Sequence, residues 1–425
     1  MLLKQAALTL LTSTLVLAAP HSKRKVAFNW GSEKIRGVNI GGWLVLEPYT
    51  EEDLTDVRNQ QVDNPSLFQP RAVSDGEIID EYTLCEKLGP EAALKVLRPH
   101  WDSWATWHDF KKIADAGFNM VRIPIGYWAY ETFGAPYVQG AAPYMDAAID
   151  WARSLGLMVM IDLHGAPGSQ NGYDNSGQRL ANPGWQQGDT VAQTLEVIQK
   201  IADKYAQPWY QDVVMGIQLL NEPNAWKLNA SAIRDFNREV SDTTVVFHDA
   251  FLPPNTYNGF LTPNNDNAHN VAIDHHEYQV FSLEQIAWEP WQHRQHVCNN
   301  IYSYWGADKW TFVGEWTAAM TDCAGWLNGH GIGARYDGTY PESTYIGSCA
   351  TINDISTWTQ EFKDDTRGYI EAQLDAFSIV TQGYVFWNFK TEQSAEWDLF
   401  RLLDAGVFPQ PLSDRKFAPV CSNLV

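Results

Sequence analysis

Eight short apolar runs, mostly separated by helical stretches and nearly all closed by polar side chains, constrain this chain more than any other feature. They are Ile35 to Ile40, Met120 to Ile125, Leu157 to Leu163, Val213 to Leu220, Thr244 to His248, Val271 to Ile273, Thr311 to Gly314 and Gly383 to Phe386. Val213 to Leu220 shows the pattern: an unbroken apolar run suits a strand buried on both faces, and it stops at Asn221-Glu222-Pro223. The periodicity predicts helices over 75–88, 90–100, 104–116, 144–155, 191–205, 231–242 and 369–381, with further helical material in 283–305. Eight such strand and helix units predict a single (β/α)8 TIM barrel, in which the strands' C-terminal ends converge on one mouth. An open doubly wound sheet is the alternative, but no Gly-x-Gly-x-x-Gly follows a strand to supply its dinucleotide site. At 425 residues the chain is long enough for one large barrel or for two average domains.

Residues 1–19 carry Lys4, then an apolar stretch rich in Leu and Ala that ends in small residues before Pro20. This reads as a secretory signal peptide, since the run is short and is broken by Thr12-Ser13-Thr14. Lys23-Arg24 reads as a dibasic processing site, giving a signal peptide at 1–19, a propeptide at 20–24 and one barrel domain over 25–425. An exposed basic pair without processing is the other reading. Removing residues 1–24 leaves 27 cations against 51 acids, a net charge of −24. Such a balance disfavours nucleic acid and anionic membrane surfaces, while a neutral polysaccharide is not repelled. Nineteen Trp can supply platforms for the C–H faces of sugars, although most belong to core and rim. Of five cysteines, Cys298, Cys323, Cys349 and Cys421 cluster late in the chain, so two bridges and a free Cys85 are expected, with three pairings open. Asn229-Ala-Ser231 is a glycosylation acceptor if exposed.

The residues at the strand ends carry the chemistry. They are Glu47, Arg122, His164, Asn221-Glu222, His276 with Tyr278, Glu315 and Trp387. Glutamates closing the fourth and seventh strands face each other across a barrel mouth, and a pair of carboxyl groups there suggests glycoside hydrolysis. Structural salt bridges are the bland alternative. Asp274-His-His-Glu277 is no His-Glu-x-x-His site, because position 280 is Val, and Gly165 to Gly177 lacks a Gly-Lys-Ser/Thr ending. Neither a metal nor another cofactor is expected.

Leu46-Glu47-Pro48, Arg122-Ile-Pro-Ile-Gly126, Asp162-Leu-His-Gly-Ala-Pro-Gly-Ser-Gln-Asn-Gly172, Asn221-Glu-Pro223, His275-His-Glu-Tyr-Gln-Val-Phe281 and Gly314-Glu-Trp316 resemble the fungal exo-β-1,3-glucanases of glycoside hydrolase family 5. The resemblance runs from about residue 30 to the C-terminus and implies a (β/α)8 fold with retention of anomeric configuration. It also implies Glu222 as acid/base, Glu315 as nucleophile, and release of glucose from the non-reducing end. By position it puts Arg122 and Tyr278 on the nucleophile, Asn221 at the sugar 2-hydroxyl, His164 and His276 along the site, and Glu47 and Trp387 around the first glucose. At the entrance the family has Phe where this chain has Tyr173, opposite the aromatic that matches Phe281.

Two carboxylates roughly 5 Å apart at an effective dielectric near 20 repel by about 3 kcal/mol, roughly 2 pKa units, so one must keep a proton. With Arg122 holding Glu315 ionised, the expected place for it is Glu222. A secreted, monomeric glucan 1,3-β-glucosidase is the expectation. β-1,6-Glucan or small glucosides as substrates, and a wall-binding protein without turnover, are the alternatives. End-cutting depends on whether loops 50–76 and 165–190 close the cleft.

Overall fold

The computed structural model describes residues 28–47, 78–238, 244–325, 327–329 and 332–421. The leader, the dibasic pair and the 50–76 loop therefore lie outside the described residues. Strands β1 (Ile35–Asn39), β2 (Met120–Gly126), β3 (Met158–Gly165), β4 (Val214–Gln218), β5 (Val245–His248), β6 (Val271–Glu277), β7 (Trp310–Trp316) and β8 (Gly383–Phe386) pair in chain order. All pairs are parallel, and β8 returns to β1 to close a (β/α)8 barrel. Parallel neighbours cannot be joined by tight hairpins, so helices cross over between them and cover the sheet's outer face.

Inside, the barrel is built in layers. Met120, Met160, Met215, Val246, Phe312 and Val385 form an apolar floor with Phe28 and Trp30. Trp30 stacks on Trp310 at 5.4 Å and plugs the end at which the strands begin. Towards the exits the lining turns polar: Asn39, Arg122, Gln218 and Asp274 are all fully buried. Register shifts fall at Val159/Met160 near the start of β3, and near the exits at Ile125/Gly126, His275/His276 and between Val313 and Trp316. Such irregularities re-aim side chains at barrel rims, and here one sets His276 beside Glu315.

Three helices differ from expectation at their starts, the one expected over 104–116 being Trp107–Asp115, capped by Thr106. The last long one is Gln360–Val380, not 369–381; Thr359 caps it by accepting from the Phe362 N–H at 3.1 Å. Its opening turns are charged and conceal the apolar stripe. The first described one is Glu81–Leu88, capped by Asp80, so the start expected at 75 is not helical over the described 78–80. Cys298 is bonded to Cys421 and Cys323 to Cys349, while Cys85 is free and buried. Asn229 is exposed. Among the described residues no helix is long and apolar enough to cross a membrane.

Candidate active site

Arg122 rises from the middle of β2 with no exposed surface. Its Nε donates to Gln218 Oε1 at 2.8 Å, Nη1 donates to Asn39 Oδ1 at 2.8 Å and Glu315 Oε1 at 2.9 Å, and Nη2 donates to Asn221 Oδ1 at 2.7 Å. Asp162 Oδ2 lies 3.1 Å and Asp274 Oδ2 3.7 Å from Nη2. Burial opposes the cation, but Asp162, Glu315 and Asp274 outweigh it and hold the guanidinium charged.

Glu315, inside β7, receives Arg122 on one oxygen and the Tyr278 hydroxyl on the other at 2.8 Å. Gly314 beside it has to be glycine, because a Cβ would sit 1.9 Å from Asp274 Oδ1. Glu222 leaves β4 by a turn in which its own φ is +44°, a left-handed conformation that costs a non-glycine residue and recurs at active sites. Its Oε2 accepts from Asn175 Nδ2 at 3.1 Å and its Oε1 lies 2.7 Å from His276 Nδ1. The same Nδ1 is 3.4 Å from Glu315 Oε2, so the two glutamate oxygens lie within the sum of those distances, 6.1 Å, of each other.

Alternation along a strand puts residues i and i+2 on one face, and two strands use it identically. On β3 Asp162 Oδ2 holds His164 Nδ1 at 2.6 Å, and on β6 Asp274 Oδ2 lies 3.2 Å from His276 Nε2. His164 also lies 3.4 Å from the Asn221 amide, 3.8 Å from Glu47 and 5.6 Å from the parallel ring of Trp387. Thus Glu47, Arg122, His164, Asn221, Glu222, His276, Tyr278, Glu315 and Trp387 form one cluster at the mouth. Tyr173 and Phe281 stand at its edge, 41% and 48% exposed. Sequence reasoning gave no role to Asn175, Asn39 or Gln218. The repeated Asp-x-His at the ends of β3 and β6 was a readable signal for Asp162 and Asp274.

The charge pattern at the mouth centres on His276. Burial would lower the His276 pKa, but Glu315 and Asp274 beside it, with the hydrogen bond to Glu222, raise it well above the usual histidine range. Burial likewise pushes Glu222 up, yet the His276 hydrogen bond and charge pull it below its ordinary value. Glu315 ends above its ordinary value because burial outweighs His276 and Arg122. His276, 2.7 Å from Glu222, is thus the group whose charged form the surrounding carboxyl groups favour.

Glu222, His248 and His276 bring ligand-type atoms within 4.8 Å of one another. However, His248 Nδ1 accepts the Ala250 N–H at 3.0 Å, so the proton of the neutral ring is on Nε2 and neither nitrogen offers a free lone pair. His276 is engaged by Asp274 and Glu222. The set fits a hydrogen-bonded proton store better than a cation.

The profile of the cellulase family, glycosyl hydrolase family 5, matches residues 86–329. A glucan 1,3-beta-glucosidase of Blumeria graminis is 46% identical over 423 residues, covering 97% of this chain and 95% of its own. The glucan 1,3-beta-glucosidase I/II of Saccharomyces cerevisiae is 42% identical over 459 residues, covering 99% of each. Among solved structures, the rutinosidase from Aspergillus niger superposes with a TM-score of 0.65 at 18% identity, over 90% of this chain and 99% of its own.

Proposed function

The chain belongs to glycosyl hydrolase family 5, and is thereby a glycoside hydrolase; from that premise we propose a secreted, retaining glucan 1,3-β-glucosidase that takes glucose from the non-reducing end of β-1,3-glucan. The observation that carries the mechanism is the pair of glutamate oxygens within 6.1 Å, bridged by one imidazole. Retaining enzymes hold their carboxyl groups at about 5–5.5 Å and inverting ones at about 6.5–9.5 Å, leaving room for a water. The bound on this pair supports direct attack.

In this reading Glu315, fixed through both oxygens by Arg122 and Tyr278, attacks the anomeric carbon while the bond to the leaving oxygen breaks. The proton stored on His276 passes across the 2.7 Å contact to Glu222 as substrate expels water, and Glu222 delivers it to the leaving oxygen. Esterification removes the charge of Glu315, so Glu222 can then take a proton from water, which attacks the same carbon and releases Glu315. Asn221, locked by Arg122, faces the sugar 2-hydroxyl; Glu47, His164 and Trp387 enclose the glucose, and Tyr173 and Phe281 flank the next unit. The relatives' names support the 1,3 linkage, and two disulfides with the leader support an oxidising destination.

The test is chromatography of the first products from β-1,3-glucan, with NMR of the newborn anomer. Glucose alone, appearing first as β, is expected. Newborn α-glucose overturns the two-step mechanism, and early oligosaccharides overturn end-cutting.

A further inference from the structure

The glucan reading accounts for the mouth as far out as Tyr173 and Phe281, but the most exposed large apolar side chain among the described residues lies beyond them. Trp226 is 72% exposed, four positions past Glu222 on the loop leaving β4. Single exposed apolar residues are ordinary, so exposure alone decides nothing. What sets Trp226 apart is how it is held.

Its indole lies on the ring of Phe251 at 5.3 Å and 15°, so one face is backed and the other open. Asn224 fixes the loop: its Oδ1 accepts the Trp226 N–H at 3.0 Å, its own N–H donates to Gln170 O at 3.1 Å, and its Nδ2 reaches the Tyr173 hydroxyl at 3.4 Å. Trp226 and the entrance tyrosine therefore share one anchor. Lys227 lies over the Tyr173 ring at 5.9 Å from the other side of the same loop.

The backing ring is held by a strained turn. Ala250 and Phe251 both have left-handed backbones, with φ of +57° and +63°, and neither is glycine. His248 Nδ1 and Asp249 Oδ1 hold them there by accepting their N–H groups at 3.0 and 2.9 Å. Strain of this kind persists only where the surroundings impose it, and it collects at ligand clamps. Here it props a phenyl ring under an indole at the exits of β4 and β5. The exposed Trp209 and Trp305, by contrast, precede β4 and β7 and lie at the opposite end of the barrel.

We propose that the open face of Trp226, backed by Phe251, is a platform for a β-1,3-linked glucosyl unit of the leaving chain, beyond the unit flanked by Tyr173 and Phe281. This rests on the glucan 1,3-β-glucosidase reading. Glu222 protonates the leaving oxygen, so the departing chain passes the side of the mouth where Asn175, Tyr173 and Asn224 stand, and Trp226 is the next aromatic surface on that side. An indole face takes the C–H face of a pyranose without any charge requirement.

The test is kcat/KM of wild type and Trp226→Ala on 4-nitrophenyl β-glucoside and on the series from laminaribiose to laminarihexaose. The expected result is no change for the aryl glucoside and laminaribiose, and a loss of about tenfold, carried by KM, for the longer members. Trp226→Tyr should recover most of that loss. Equal values at every length, or a uniform loss that includes the aryl glucoside, overturn the platform. Wild-type enzyme inert on the whole laminari-series overturns the underlying reading and the platform with it, and that result is visible before any variant is compared.

Discussion

Replacing His276 by Gln keeps a hydrogen-bonding side chain next to Glu222 and removes the cation between the two glutamates. With an oxygen of each no more than 6.1 Å from the other, two carboxylates then repel by about 2.7 kcal/mol for charges at that separation and an effective dielectric near 20. The catalytic proton then rests on Glu222, whose pKa rises because burial and the nearby Glu315 carboxylate act without the His276 hydrogen bond and charge that pulled it down. The sign follows from the protonated form being the active one: activity stands below the alkaline pKa and is lost above it. In wild type that limb is expected from the His276 and Glu222 pair, on the alkaline side of the usual histidine range because Glu315 and Asp274 favour the charged imidazole. In His276→Gln it should move to lower pH, so between the two limbs the ratio of variant to wild-type activity drops about tenfold per pH unit. The assay is kcat/KM for 4-nitrophenyl β-glucoside from pH 4 to 9, which reports on the free enzyme. An alkaline limb in the variant at or above that of wild type would refute the proton store.

Glu315→Gln should abolish turnover while the thermal midpoint stays within a few degrees of wild type, since Gln keeps an acceptor for Arg122; substantial residual hydrolysis would remove Glu315 from the nucleophile's role. Glu396 is buried, and burial raises it to about 8 even though the Met320 N–H and Thr321 hydroxyl donate to it; Glu81 is likewise raised to about 7. A carboxyl raised in the fold favours folding below its unfolded value near 4.5 and loses that contribution as pH rises to 8, so melting temperature should fall from pH 5 to 8 and Glu396→Gln should flatten the fall. An unchanged slope in melts across pH would count against it. The Cys298–Cys421 bridge closes a separation of 123 residues and Cys323–Cys349 one of 26, worth at most about 5 and 3.5 kcal/mol of loop entropy. Urea midpoints of the two paired Cys→Ala variants should fall in that order.

The barrel was legible because strands buried on both faces leave unbroken apolar runs, and β5 and β8 end close to where those runs end. β6 and β7 continue to Glu277 and Trp316 because the polar residues past each apolar run still pair across the sheet, as His276 does with Glu315. Polarity marked residues that the fold gathers at the mouth, but it marked the strand end too early. The coupling of Glu222 to His276 was not legible for a different reason. It turns on a 2.7 Å contact between residues 54 apart in the chain, a distance no spacing rule supplies. Asn175, which holds the other oxygen of Glu222, comes from the glycine-rich loop after β3, where no periodicity singles out one side chain.

A fully buried arginine among three carboxylates is a poor way to stabilise a barrel, since well-packed apolar side chains of the same volume often do as well or better. Its use here is positional. Four hydrogen-bonded side chains and an aspartate surround the Arg122 guanidinium, and they arrive from β1, β3, β4, β7 and the turn after β4. A planar fork of donors admits few arrangements of those partners. Asn221 and Glu315 are thereby set relative to each other before any sugar binds, at the one level of the barrel where the apolar layers give way. Asp274 carries the same order outward: its Oδ2 takes the Gln218 amide at 2.8 Å and meets His276 at 3.2 Å, and Gly314 leaves it the space to do so. Glu315 and His276 thus hang from one buried lattice, so the geometry of the mouth is set by the barrel's interior.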